Sequence, residues 1–314
     1  MTDKNRPLAA IDIGTNTTRL LIGKIKRNGI ERIYSERIVT RLGEGISGRG
    51  LITKRAIKRG IEALRKFSGV ISRHDVLRTL VVATSALRDA ENRDEFLKKA
   101  KDAARFDIKI ISGEKEARIT SSGMLSGITP PVSALMADIG GGSTELIFVR
   151  RKKPELVQSL NLGVVYLAEK YMKHDPLLKT DLNRMDNEIS LRIMPAAGVF
   201  KKLFSGDTVF IGTAGTVTAL SAIAQRLKRF DHGRIHNSRM TLKKIKDIFL
   251  KISSITAEER VKYHPFDPSR LDIIVPGTLI LLKLMETFGF NEITISDYGL
   301  KEGILLELYS KIGT

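Results

Sequence analysis

The chain contains no cysteine and no tryptophan. Without cysteine there is no disulfide, no thiolate metal site and no sulfur nucleophile, and a reducing compartment suits it. Aromatic side chains make up only 6% of the residues, too few to alternate with basic ones in a stacking platform for single-stranded nucleic acid. No stretch is long and apolar enough to span a bilayer, and residues 1–7 lack the apolar centre of a secretory leader. These absences predict a cytoplasmic protein with no membrane attachment.

Acidic residues are also in deficit, 35 Asp and Glu against 53 Lys and Arg, for a net charge of +18. Such an excess predicts an anionic partner. There is no helix-turn-helix pattern and no Arg-Gly-Phe type segment, so specific nucleic-acid recognition is not expected. Lys, Arg and Glu are all frequent, so part of the surplus reads as solvated surface. The 314 residues allow one large domain or two ordinary ones with real apolar cores.

What is present is organised around Ala137-Asp138-Ile139-Gly140-Gly141-Gly142-Ser143-Thr144-Glu145-Leu146. Apolar runs flank it, so it reads as strand, glycine turn, strand. Three glycines remove the Cβ atoms that would keep a ligand from the backbone. Successive amides in such a turn form a concave anion site. Asp138 enters the turn and Glu145 leaves it. Two carboxylates beside a bound phosphate would repel it without an intervening cation, and hard oxygen donors with a phosphate partner point to Mg²⁺. A second copy stands near the N-terminus, where Ile11-Asp12-Ile13-Gly14-Thr15-Asn16-Thr17 again joins two apolar strands. The repetition predicts a duplicated architecture with the two loops facing each other across a cleft.

The remaining signals follow in chain order. Residues 8–40 read as three strands. Residues 41–50 form a glycine-rich loop with two arginines, either an exposed connection or a flexible phosphate-facing loop. Thr53 caps a helix whose Ile57, Ile61, Leu64, Phe67 and Ile71 keep helical spacing. A buried strand over 76–83 runs into Thr84-Ser85-Ala86-Leu87-Arg88-Asp89-Ala90. Arg88 there can hold a phosphate through its planar fork or pair with Asp89 or Glu91. A helix over 93–104 and a strand over 108–111 lead to Ser112-Gly113-Glu114-Lys115-Glu116-Ala117. Carboxylates at this strand end and helix start point to the mouth of an α/β fold. Glu114 and Glu116 are both candidates for a base, and both suit ordinary first-turn helix stabilisation. A hinge is expected within residues 117–130, before Thr129-Pro130-Pro131. Helices are expected over 164–172 and 181–204, with strands over 155–162 and 208–211. Gly212-Thr213-Ala214-Gly215-Thr216 opens another helix. Its small residues serve either close packing or a phosphate. Arg226, Lys228, Arg229, Arg234 and Arg239, with His232 and His236, read as a basic anion-facing loop. Lys243, Lys244 and Lys246 continue the charge. A long apolar helix over 270–288, a strand over 293–295 and a closing helix over 300–309 complete the chain.

Taken together, the two Asp-Ile-Gly turns, the Thr84–Ala90 segment (residues 84–90), residues 112–117, Gly212-Thr213-Ala214-Gly215-Thr216 and Ser296-Asp297-Tyr298-Gly299-Leu300-Lys301-Glu302-Gly303 resemble the exopolyphosphatase and guanosine pentaphosphate phosphohydrolase family. The match is to its short form without a C-terminal helical domain. That family is grouped with sugar kinases, actin and heat-shock chaperone ATPases. The resemblance implies an α/β fold of two ribonuclease-H-like domains flanking a cleft, residues 1–121 with about 298–314, and 122–297. It implies Mg²⁺-dependent hydrolysis of the terminal phosphate of inorganic polyphosphate, with Mn²⁺ as a substitute metal and K⁺ as a further ion. Guanosine pentaphosphate is the alternative substrate, guanosine tetra- or pentaphosphate an inhibitor, and a homodimer the assembly. By resemblance, Glu116 is the general base and Arg88 holds substrate phosphate. Asp138 and Glu145 are the metal ligands. Asp12, Gly14, Thr15, Asn16 and Thr17 form the first phosphate loop. Gly140, Gly141, Gly142, Ser143 and Thr144 form the second, and Gly212, Thr213 and Gly215 add further phosphate contacts. Thr15 and Thr17 replace the serines common in the family and keep the hydroxyl. Lys115 stands where an acidic residue is common. A kinase or ATPase on the same fold, and a non-catalytic sensor of polyphosphate or guanosine tetraphosphate, are the competing readings. Retention of Glu116, Asp138 and Glu145 together argues against the sensor.

Overall fold

The computed structural model describes residues 6–27, 29–129, 131–263 and 267–312. The leader reading rests largely on residues 1–5, and the proline break includes Pro130; both lie outside the described residues. The chain divides into two compact units, Met1–Gly127 with Tyr298–Thr314, and Ile128–Asp297. Among the described residues no helix is long and apolar enough to cross a membrane.

The first unit opens with β1 (Leu8–Ile13), β2 (Thr17–Lys26) and β3 (Gly29–Val39), then α1 (Ile46–Arg49), α2 (Lys54–Ile71), β4 (Arg78–Ala83), α3 (Ser85–Asp89), α4 (Arg93–Ala104), β5 (Ile108–Ile110) and α5 (Gly113–Ser126). The second contains β6 (Ser133–Ile139), β7 (Thr144–Arg150), β8 (Lys153–Leu160), α6 (Val164–Tyr171), α7 (Lys179–Phe200), β9 (Val209–Thr213) and α8 (Ala214–Ala224). It continues through α9 (His232–Ile235), β10 (Arg239–Thr241), α10 (Leu242–Ser253), α11 (Ala257–Arg260), α12 (Ile274–Phe288) and β11 (Glu292–Ile295). The closing helix α13 (Leu300–Ser310) returns to the first unit.

The two sheets share a plan. The first is ordered β3-β2-β1-β4-β5 and the second β8-β7-β6-β9-β11-β10. In each, an antiparallel meander of three strands is extended by two parallel strands on the side of its first strand, and the second sheet adds β10 antiparallel to β11 at its edge. Burial explains the run of β1. Ala9, Ile11 and Ile13 pack with α2 and α4, whereas Leu8 and Ala10 pack with α5 and α13 on the opposite face. A strand covered on both faces needs no polar alternation, which is why it reads as a continuous apolar run. In α2 the side chain of Thr53 accepts from the Ala56 amide, and Ile57, Ile61, Leu64 and Phe67 are buried as their spacing predicts.

The boundary between the units, Gly127 to Ile128, falls inside the expected hinge at residues 117–130, of which 117–126 belong to α5. Two stretches differ from the sequence reading. The helix expected to end at residue 204 stops at Phe200 and gives way to a 3₁₀ turn, Lys201–Leu203. The lysines from residue 243, which read only as continued charge, lie on α10, which buries Ile245, Ile248 and Ile252 on one face. Its charges obscure an ordinary amphipathic stripe capped by Thr241, whose hydroxyl accepts from the Lys244 amide at 3.2 Å.

Candidate functional site

The two Asp-Ile-Gly turns have the same backbone geometry. The Gly14 amide donates to the Thr17 carbonyl at 3.0 Å, and the Gly140 amide to the Ser143 carbonyl at 2.9 Å. At each glycine an added Cβ would meet that same carbonyl oxygen, at 3.2 and 3.0 Å. A Cβ at either position would press on the carbonyl that closes the turn, which would have to give by a few tenths of an ångström.

Both turns are fastened through their carbonyls. In the first, Asn16 accepts from the amides of Thr40 and Arg41, and Thr15 accepts from Gly43. In the second, Gly140 and Gly141 accept from Val164 and Val165, the first residues of α6. The carbonyls of Thr15, Asn16, Gly140 and Gly141 are thus engaged by amides of their own unit. Among the described residues, the amides of Thr15, Asn16, Gly141, Gly142 and Ser143 donate to no backbone acceptor. What remains on each turn is a set of donors, the chemistry of an anion cradle. Residues 41–50, expected to be flexible or simply exposed, instead underpin the first turn. The absent side chain of Gly43 leaves room for the Thr15 methyl, which a Cβ would meet at 2.1 Å.

Asp12 is the penultimate residue of β1 and is buried. Burial raises its carboxyl above the ordinary aspartate value, opposed by Arg19 and Lys301 and reinforced by Glu302. Arg19 stands opposite it on β2, with 3.9 Å between Nη1 and Oδ2. Thr15 and Thr17 are buried beside it in sequence.

Asp138 and Glu145 face each other in the β6–β7 register. Directly opposed residues of antiparallel strands share a face, with Cβ atoms about 5 Å apart, and like charges so placed destabilise the pair. Glu145 is fully buried, and its Oε1 accepts from Ser159 Oγ at 2.7 Å. Two carboxylates beside donor amides fit Mg²⁺, which takes one or two carboxylates and completes its shell with water and phosphate oxygens. Among the described residues no group of three or more His, Cys, Asp or Glu gathers to hold a metal. Thr144, read as a phosphate ligand, gives its hydroxyl to the Leu162 carbonyl at 2.6 Å, and Ser143 is buried at the turn.

The structure separates the two candidate glutamates. Ser112 caps α5, its hydroxyl accepting from the Lys115 amide. Glu114 is exposed and pairs with Arg118 at 3.0 Å. Glu116 is buried, 3.3 Å from Arg88 Nη1. The same Arg88 nitrogen donates to the Ile111 carbonyl at 3.1 Å, and Nε lies 3.7 Å from Asp89. Arg88 thus meets both the partner expected from its neighbourhood and one 28 residues away.

The third glycine segment is closely packed. A Cβ on Gly212 would meet Ile293 at 2.6 Å, and one on Gly215 would fall 1.4 Å from an Arg270 nitrogen. Thr213 ends β9 and is buried. His232 and His236 stack with ring centroids 5.1 Å apart. Both engage Asp297, His232 through its carboxylate at 2.8 Å and His236 by accepting its amide at 3.1 Å.

Sequence reasoning missed the support of the second turn. Glu188 on α7 accepts from Lys170, Tyr166 and Tyr171 of α6 at 2.8, 2.9 and 2.5 Å, and from Arg192 Nη2 at 2.6 Å. Burial alone would raise the Glu188 carboxyl, but these hydrogen bonds prevail and hold it down at about 2. A depressed carboxylate stabilises the fold above its unfolded value near 4.5, and that contribution disappears as pH falls through about 2. Because the group borders solvent, Glu188→Gln is expected to cost about 1 kcal/mol at pH 7, or ~2–4 °C of melting temperature. The gap between variant and wild type should close on acidification from about 4.5 to 2. Thermal melts across that range check this, and a gap that persists at the acid end contradicts it.

Fold and site define a class: a mixed α/β protein of two sheets with one strand plan, each opening on an Asp-Ile-Gly hairpin. The chain belongs to the Ppx/GppA phosphatase family, whose sequence signature matches residues 21–312. It is 29% identical to exopolyphosphatase 2 of Mycobacterium tuberculosis over 96% of this chain and 98% of that protein. It is 33% identical to the bifunctional 3-dehydroquinate synthase/phosphatase of Fusobacterium nucleatum over 95% of this chain, and spans 46% of that longer protein. Among solved structures, an exopolyphosphatase from Cytophaga hutchinsonii superposes with a TM-score of 0.89 at 26% identity, covering 98% of this chain and all of that one. The Aquifex aeolicus Ppx/GppA family member superposes with a TM-score of 0.82 at 29% identity, covering 98% and 99%.

Proposed function

We propose that this chain is an exopolyphosphatase, hydrolysing the terminal phosphoric anhydride bond of inorganic polyphosphate and releasing orthophosphate. The observation that carries the reading is the Asp138–Glu145 pair, opposed in register beside a turn whose Gly141, Gly142 and Ser143 amides donate to no backbone acceptor among the described residues. Family membership and relatives named exopolyphosphatase support it.

Phosphoryl transfer asks a protein for positioning and charge neutralisation more than for covalent participation. The amides of each turn are suited to receive phosphate oxygens and to stabilise charge that builds on a transferring group. Glu116 accepts a proton from the attacking water. Arg88 holds a phosphate oxygen through its planar fork and keeps the Glu116 carboxylate in place. Asp138 and Glu145 would hold Mg²⁺, which supplies neutralisation of phosphate charge when bound. The bond from water oxygen to phosphorus forms as the bond from phosphorus to the bridging oxygen breaks. The shortened chain leaves with the bonding electrons. The net charge of +18 suits a polyanionic substrate. Filling of the Gly212 and Gly215 surfaces by Ile293 and Arg270 favours this reading over a nucleotide-dependent kinase, for which that loop would have to approach a nucleotide.

The test is orthophosphate release from long-chain polyphosphate, guanosine pentaphosphate and ATP, each with Mg²⁺ and with EDTA. Release from polyphosphate is expected with Mg²⁺, lost with EDTA and restored by Mg²⁺ or Mn²⁺. Release confined to guanosine pentaphosphate would keep the chemistry and replace the substrate. Silence on all three, with polyphosphate still bound, would replace the hydrolase by a sensor.

A further inference from the structure

Arg59 lies on α2 and takes no part in the proposed chemistry, yet it makes three contacts with the segment beneath the first turn. Its Nε donates to the Thr40 carbonyl at 2.8 Å, and its Nη2 to the Arg41 carbonyl at 3.3 Å and to the Glu44 carboxylate at 2.6 Å. The amides of Thr40 and Arg41 hold the Asn16 carbonyl, and that of Gly43 holds the Thr15 carbonyl. The guanidinium thus grips one side of a short segment whose other side grips the turn.

Three further observations show that this segment is held in one arrangement. Arg41 has φ 47°, a left-handed conformation that a side chain disfavours and that persists when its surroundings over-determine it. Leu42 is fully buried, and Gly60, next to Arg59, brings α2 so close that a Cβ would stand 3.0 Å from its Cδ2. The hydroxyls of Thr18 and Thr40 meet at 3.1 Å in the interior. Guanidinium is suited to this role because its rigid fork serves several acceptors at once, whereas an ammonium has no such fork.

We infer that Arg59 is a positioning residue: from α2 it holds residues 40–44 in the conformation that fixes the Thr15 and Asn16 carbonyls, and through them the amides of the first phosphate loop. This rests on the proposed hydrolysis for its kinetic consequence, but not for its structural one. A loop displaced by about 1 Å costs on the order of 10²-fold in rate.

The experiment compares Arg59→Met, Arg59→Lys and Lys58→Met, the last removing an exposed charge from the same helix. On polyphosphate, kcat is expected to fall roughly 10- to 100-fold in Arg59→Met, with KM nearly unchanged, and less in Arg59→Lys; Lys58→Met should match wild type. Hydrogen exchange gives the second readout. The amides of Gly14, Thr40, Arg41 and Gly43 should exchange faster in Arg59→Met while those of β4 do not. Unchanged kcat with unchanged exchange would reduce Arg59 to a surface ion pair. Faster exchange throughout the unit would make it a stability residue, and either result overturns the inference. Wild type inert toward polyphosphate would sink the proposed function, leaving the four amides to decide on Arg59. If Arg59→Met does not fold, the graded loss in Arg59→Lys decides.

Discussion

Glu116→Gln is expected to lower phosphate release from polyphosphate by about 10² to 10⁴-fold, the range for removing a general base, while binding of the substrate survives. The substitution keeps the shape of the side chain and its place beside Arg88 at 3.3 Å. Arg88 retains the Ile111 carbonyl and Asp89, so the surroundings of the site stay in place. What is lost is the ability to accept a proton. Glu114→Gln is the control, because that side chain is exposed and pairs with Arg118 one turn on; such pairs contribute about 0.3–0.5 kcal/mol, and its rate should stay within about twofold of wild type. Steady-state release with a filter-binding assay for polyphosphate checks both. Full activity in Glu116→Gln would remove it from the chemistry and return the choice of base to an open question.

Gly163→Ala is expected to be nearly as damaging, although residue 163 carries no functional group. Its Cα faces the second Asp-Ile-Gly turn at such close range that a Cβ would lie 2.3 Å from the Gly141 oxygen and the Gly142 carbonyl carbon, and 2.4 Å from the Gly142 Cα. These are backbone atoms, so no rotamer change relieves the clash. The turn must move, and it is tied to Val164 and Val165 immediately after. Displacement by about an ångström predicts a loss on the order of 10²-fold in kcat. The core beneath β6 and β7 is untouched, so the melting temperature should fall by only a few degrees, ~2–4 °C for each kcal/mol lost. Release assays and melts on one preparation check this. Wild-type kcat would show that the turn's placement is not what the reaction needs.

Both predictions depend on contacts that a linear reading does not contain. The glycines of residues 140–142 are conspicuous in sequence, but Gly163 is one glycine among 26, and nothing around it announces that it seats the turn. The Glu188 network joins residues of α6 and α7 about 20 positions apart. Its signal was an acidic residue in a helix, which is common. Arg59 belongs to no motif, and its partners Thr40, Arg41 and Glu44 stand 15 to 19 positions before it. By contrast α10 was legible and was missed. Ile245, Ile248 and Ile252 follow Thr241 at helical spacing, and the intervening lysines drew the reading toward charge.

What the sequence determined by itself was whatever depends on neighbours in the chain. Strand, turn and strand at both Asp-Ile-Gly motifs, the Thr53 cap, the helix Arg93–Ala104 and the buried stripe of α2 follow from periodicity, capping and the steric freedom of glycine. These are forces that act within a few residues. What only the tertiary structure decided was the allocation of partners: Glu116 rather than Glu114 to Arg88, Arg270 to the surface of Gly215, and the carbonyls of each turn to amides from elsewhere in its own unit. A carboxylate or an amide carries the same hydrogen-bonding capacity wherever it stands. Which group meets it is settled by packing over long separations, where burial makes an unmet polar group costly and so selects one pairing among many that composition allows.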